Sequence, residues 1–204
     1  MRERLGWWDE PAIGGGGIPA DRWEVCIDRD AAITDPCALA FDVTPGHLLA
    51  SIVTCGGALH VTEHRYGTGW LIGRLLELCK AHKVGGIGFD PTGPAGALIP
   101  DLEDAGFVIR SPKTPKGKLV PIAGREATQA CEAFLSAVIG GTLIHRDELA
   151  LNTAVAGAGR RQVGDSWKWS RRDSTVDITP LFAATNARWV FDTMPKRPAG
   201  LVSL

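Results

Sequence analysis

Two stretches of the chain close on nearly the same word: CALAFDVTPG, residues 37 to 46, and VGGIGFDPTG, residues 84 to 93. Each is an apolar run that delivers one carboxylate, Asp42 or Asp90, to a turn. A buried strand gains nothing from ending on a charge, whereas a metal site built where neighbouring strands converge needs carboxylates at such ends. A third candidate, Asp177, stands directly ahead of the apolar helical run ITPLFAATNARW. Three converging carboxylates can hold two magnesium or manganese ions about 4 Å apart, one activating a water and the other stabilising the leaving oxygen in phosphodiester cleavage. Ligands that are all oxygen favour those hard cations over zinc. Asp173 and Asp165 lie close enough in sequence to be additional acidic ligands. Each aspartate also has an ordinary structural use: Asp before Pro-Thr-Gly opens turns, and Asp177 suits a helix N-cap. Convergence of the three is what favours chemistry.

Two basic clusters accompany the acids. Arg110, Lys113, Lys116, Lys118 and Arg125 fall in a Pro/Gly-rich stretch between residues 105 and 125 that contains no acidic residue. Arg160, Arg161, Lys168, Arg171 and Arg172 occupy residues 160 to 172, interleaved with Trp167 and Trp169. Cations with nearby aromatics are what a surface that grips a DNA backbone requires. The plainer alternative is a solvated loop and a hairpin whose tryptophans pack on the core.

Other motifs drop out. His60-Val-Thr-Glu-His64 has the spelling of an inverted zinc-protease motif, which requires a helix. Its flanks read as strand, where positions four apart stand about 13 Å from each other and cannot share one zinc. No Gly-x-x-x-x-Gly-Lys-[Ser/Thr] and no Gly-x-Ser-x-Gly occurs, so neither a nucleotide motor nor a serine hydrolase is expected.

The elements that must position these residues follow from hydrophobic period. Residues 37 to 43, 48 to 56 and 58 to 67 read as three strands joined by short links at Pro45-Gly46 and Gly56-Gly57, an antiparallel meander. A helix is expected from about 68 to 82, a central strand at VGGIGFD, a helix from Pro94 to just before Gly106, and a short strand at FVIRS. Then come a helix from 125 to 139, a short strand at 142 to 145, a helix from 147 to 159, a hairpin at QVGDSWKWSRR, and a last helix from 177 to 190. This succession is an α/β layout: a mixed central sheet, with an antiparallel three-strand meander extended by parallel strands and flanked by helices. Strand one lies beside strand four in that layout, bringing Asp42 and Asp90 to within about 5 Å along the hydrogen-bonding direction.

Residues 1 to 35 read as a connector, 36 to 195 as the folded domain and 196 to 204 as a tail. A net charge of −1 provides no global pull on polyanions, so any binding of DNA must come from the local clusters. The five cysteines are scattered and form no Cys-x-x-Cys pair, which excludes a zinc knuckle and a disulfide framework and fits a reducing cytoplasm. No apolar run is long enough for a bilayer, so no membrane partner is expected.

FDVTPG, GFDPTGPAG and above all SWKWSRRDSTVDITPLFAATNARW resemble the nuclease half of phage large terminases, which cut concatemeric viral DNA during packaging. The resemblance runs from RERLGWWDEP through Trp189. It implies a ribonuclease H-like fold and a two-metal nuclease acting on double-stranded DNA, with Asp42, Asp90 and Asp177 as catalytic metal ligands. It further implies the cytoplasm of a bacterial host as the setting, with a portal protein, a small terminase subunit and an ATPase motor supplied in trans as partners. Alternatives of other kinds are a resolvase- or transposase-type nuclease and a non-catalytic DNA- or portal-binding module with a vestigial site.

Overall fold

In the computed structural model, which describes residues 17 to 195, a short α1 (Ala20–Val25) precedes the sheet. The readings made above for residues 1 to 16 and for the tail from 196 lie outside these residues. β1, Ile33–Val43, turns Cys37, Leu39, Phe41 and Val43 to one face and Ala38, Ala40 and Asp42 to the other, the two-residue period of a strand. β2, Leu49–Tyr66, is an unbroken extended run of 18 residues, yet it is not straight. Thr54 Oγ1 lies 2.6 Å from Thr62 Oγ1, and Ser51 Oγ lies 3.0 Å from His64 Nδ1. A straight strand would hold the two threonines about 27 Å apart. The run doubles back at Gly57, whose φ of +92° suits glycine, while Gly56 beside it passes too close to Thr34 for any side chain.

The expected three-strand meander is therefore present, its second link tightened into a glycine fold-back between arms 49 to 56 and 58 to 66. The first arm pairs antiparallel with β1, setting Asp42 opposite Ser51. β3, Val84–Phe89, pairs parallel with the other edge of β1, Ala40 beside Gly88, and β4, Leu119–Pro121, pairs parallel with β3. Counting both arms, the order across the sheet is second arm, first arm, β1, β3, β4.

Two short strands differ from the sequence reading. FVIRS does not form the fifth strand: Ile109 only bridges Leu119, and the sheet takes Leu119–Pro121 in its place. Burial decides this, since Leu119 and Ile122 are in the core whereas Val108 is 49% exposed. Residues 142 to 145 make isolated bridges through His145 rather than a strand.

Helices α2 (Leu71–Ala81) and α3 (Ile99–Asp104) cover the Leu39 and Phe41 face. The other face is covered by α4 (Gly124–Ile139), α5 (Leu149–Gly157) and α6 (Thr179–Thr193), together with a separate hairpin of β5 (Gly159–Val163) and β6 (Ser166–Ser170). Period two along β6 turns Trp167 and Trp169 inward, and Trp169 Nε1 donates to Thr185 Oγ1 of α6 at 2.9 Å.

α6 lies close on the sheet because little stands in its way. A methyl added at Gly86 or Gly88 would meet Val190 at 3.0 Å, and Ala38 and Ala40 contribute only methyls. The helix starts beside Ser51, where Thr179 Oγ1 is 2.7 Å from Ser51 Oγ, and ends beside Gly85, against Met194. Gly88→Val should therefore lift α6 and cost roughly 2 kcal/mol by overpacking, measured by urea denaturation.

His145 pins α1 to this body. Its ring stacks on Trp23 at 3.9 Å, its Nε2 donates to Trp23 O at 3.1 Å, and the Asp147 N–H donates to its Nδ1 at 3.2 Å. Both nitrogens are thus engaged in the neutral form, and burial holds the imidazole pKa below 6.5. A depressed folded-state pKa means that this stability is present above about pH 6.5 and is lost as pH falls through the lower, folded-state value. The expected outcome is a melting temperature that drops from pH 7 to pH 5, with His145→Gln less stable at pH 7 but flatter across that range.

Candidate metal centre and nucleic-acid cleft

Asp42 lies one residue before the end of β1, on the α6 side of the sheet, with no part of it exposed. Burial pushes its carboxyl up to about 7, opposed by the Arg171 guanidinium and reinforced by the Asp90 charge. Removing an aspartate wholly from water costs more than the single cation beside it recovers. That cation is held closely: Arg171 Nη2 donates to both Asp42 Oδ1 and Asp42 Oδ2 at 2.5 Å, and the guanidinium sits 4.0 Å over the Phe182 ring of α6.

Asp90 follows β3. Since Ala40 pairs with Gly88 and the Phe41 and Phe89 rings stack at 5.6 Å, the parallel register carries on to put Asp90 beside Asp42. Asp90 also performs its turn-opening role, accepting the Thr92 N–H at 2.8 Å and the Thr92 hydroxyl at 2.7 Å.

Asp177 is not the N-cap of α6, which is Ile178; one residue before it, Asp177 accepts the Thr179 N–H at 3.0 Å and the Thr179 hydroxyl at 2.7 Å. Thr179 Oγ1 meets Ser51 Oγ at 2.7 Å, and Ser51 Oγ meets His64 Nδ1 at 3.0 Å. Proton counting sets the directions for an ionised Asp177. The threonine hydroxyl is spent on the carboxylate, so Ser51 donates to Thr179 and His64 Nδ1 donates to Ser51. His64 Nδ1 also stands 3.9 Å from Asp177 Oδ2.

The three predicted ligands thus group unequally. Asp42 and Asp90 are neighbours, while Asp177 stands apart on the far side of Ser51, the strand partner of Asp42, bonded to Thr179 and lining a separate pocket with His64 and Glu148. Among the described residues, no group of three or more His, Cys, Asp or Glu side chains is gathered closely enough to hold a metal. Asp42 and Asp90 fit a hard divalent cation by donor chemistry, and Asp42 already holds a cationic nitrogen on both oxygens. Asp173 is exposed at the hairpin exit and accepts the Ser170 hydroxyl at 2.6 Å; Asp165 is exposed in the hairpin turn.

The basic residues separate into four groups. Arg161, Lys168, Arg171 and Arg172 line a cleft of about 470 Å³ with Asp90, Thr92 and Asp173. Arg160 is instead stacked 4.1 Å over Trp167, and burial lowers its pKa. In the other stretch, Arg110 donates to Gly117 O at 2.9 Å and Gly85 O at 2.6 Å, and the Lys118 ammonium to Val84 O, so both brace backbone. Lys113 and Lys116 are exposed.

Three residues near the carboxylates were not singled out as site residues from sequence: Ser51, His64 and Thr179. The strand pattern held a usable signal for two of them. Register from Asp42 across the meander runs through Ser51 to His64, so the hairpin fold-back alone would have found both. Nothing local marks Thr179 beyond its place after Asp177.

No family model and no curated protein matches this chain. Solved structures do. The large terminase of bacteriophage HK97 superposes with a TM-score of 0.65 at 12% identity over 83% of this chain, which spans 42% of that protein. The large terminase nuclease of thermophilic phage G20c, solved with bound magnesium, gives 0.56 at 11% identity, covering 81% of this chain and 93% of that one. A mutant nuclease domain of the large terminase subunit of bacterial virus Sf6, solved with manganese and β-thujaplicinol, gives 0.56 at 11% identity, covering 88% and 99%. The fold, a mixed sheet flanked by helices, is therefore the ribonuclease H-like fold of these large terminase nucleases.

Proposed function

We propose that this chain is a divalent-metal-dependent endonuclease that cuts double-stranded DNA, of the kind that cleaves concatemeric viral DNA during packaging. The observation that carries the reading is the wholly buried Asp42, in register with Asp90, at the edge of a cleft lined by Arg161, Lys168, Arg171 and Arg172. Two carboxylates side by side repel unless a cation stands between them, and a cleft of cations beside them suits a polyanion.

Asp42 and Asp90 would hold the metal, with Asp177, two residues ahead of α6, as the proposed third oxygen ligand. Magnesium or manganese there, two ions in the full reading, supplies an activated water and neutralises charge on the phosphate. The chain's own residues do the rest. Lys168 and Arg172 would hold backbone phosphates in the cleft, with Phe182 and Trp169 forming part of its wall. His64 and Ser51 orient Asp177 through Thr179. Within a packaging complex, the same reading assigns a portal protein, a small terminase subunit and an ATPase motor as partners.

The test is cleavage of supercoiled plasmid with manganese. The parent chain should nick and linearise it, and Asp42→Asn or Asp90→Asn should slow this at least about a hundredfold. Plasmid left intact by the parent, alongside salt-sensitive DNA binding, would assign the chain instead to a non-catalytic DNA-binding role.

A further inference from the structure

Arg171 is joined to Asp42 in an unusual way. An arginine paired with a carboxylate commonly lays two nitrogens against two oxygens. Here one terminal nitrogen, Nη2, reaches both Asp42 oxygens at 2.5 Å, the position a single cation would take. The rest of the guanidinium is poorly served, because Nε is buried without a hydrogen-bond partner. What steadies the group is the Phe182 face 4.0 Å below it, a contact that tolerates sliding and rotation. Arg171 lies in a bend just beyond β6, its side chain 23% exposed, and it lines the cleft between Asp90 and Asp173.

A divalent ion on the Asp42 oxygens and Arg171 Nη2 cannot occupy the same place. We propose that Arg171 is a displaceable latch: it competes with the divalent cation for Asp42, and metal loading turns its guanidinium over Phe182 into the cleft, where it grips a DNA phosphate. This inference rests on the metal-dependent reading above and adds to it an ordering, metal first and then full DNA grip. A fixed structural brace would behave differently, since it would be needed equally with and without metal.

The decisive experiment is calorimetric titration of Mn²⁺ into the whole chain, without DNA. Arg171→Met keeps the stem over Phe182 and removes the competing charge, so it should bind Mn²⁺ about fivefold or more tightly than the parent. Arg172→Met removes the same charge from the same cleft without touching Asp42 and should change affinity far less. If Arg171→Met lowers solubility or folding, Arg171→Lys supplies the measurement: a shorter cation with weaker hold on Asp42, giving an affinity between parent and methionine variant. A second readout is binding of a short duplex in Ca²⁺, where the gain in DNA affinity on adding metal should be smaller for Arg171→Met than for the parent. Unchanged or weaker Mn²⁺ binding by Arg171→Met, or equal tightening by Arg172→Met, overturns the latch while leaving the metal-dependent reading intact. Absence of Mn²⁺ binding in all of these proteins overturns both.

Discussion

Because Ala38, Ala40, Gly86 and Gly88 present almost no side chain to α6, that helix lies directly on β1 and β3, and its first turn arrives over the ends of the strands. Everything at the site follows from this approach. Asp42 is sealed from water by it, Thr179 is brought against Ser51, and Phe182 is put where Arg171 can rest on it. The positive end of the helix meets Asp177, whose carboxylate accepts the Thr179 N–H. The small residues are not a sign of weak packing. They are the condition for a helix to serve as the lid of an acidic site.

Burial sets the electrostatics that follow. A fully buried carboxylate is costly unless something neutralises it, and the chain supplies one cation, from a residue 129 positions away. Even so, the Asp42 carboxyl is pushed to about 7, so the arginine does not fully offset the loss of water. This residual charge imbalance is what supports the proposal that Asp42 holds a divalent cation.

Much of this was legible in the sequence. The two Phe-Asp strand endings and the glycine-rich fourth strand pointed to adjacent strands, and Asp42 and Asp90 are neighbours in register. The meander was legible through its glycines, down to the fold-back at Gly57. The edge strand Leu119–Pro121 was not, because two core residues sat within a stretch dominated by lysine, proline and glycine, and charge outweighed pattern. Arg110 and Lys118 illustrate the same limit: a cation that caps backbone carbonyls looks in sequence like one that meets phosphate. Arg171 was grouped with the phosphate-binding cations, since pairing across 129 residues leaves no local trace. His64, read from sequence as an ordinary strand position, does lie on the strand, and its place 3.9 Å from Asp177 left no trace in the local pattern.

The hairpin that carries Arg171 is not free to move as a unit. Trp169 is 1% exposed and bonded through its indole N–H to Thr185, and Trp167 packs against it edge-on at 4.7 Å. β5–β6 and α6 are therefore one rigid piece, with the basic wall of the cleft and the cap of the acidic site fixed relative to each other. Any change that lets a new cation reach Asp42 must then be a rotation of the Arg171 side chain over Phe182, since a hinge in the hairpin would first have to extract two tryptophans from the core. Such a rotation moves the guanidinium by a few ångströms, from a carboxylate toward a phosphate, and leaves the fold untouched.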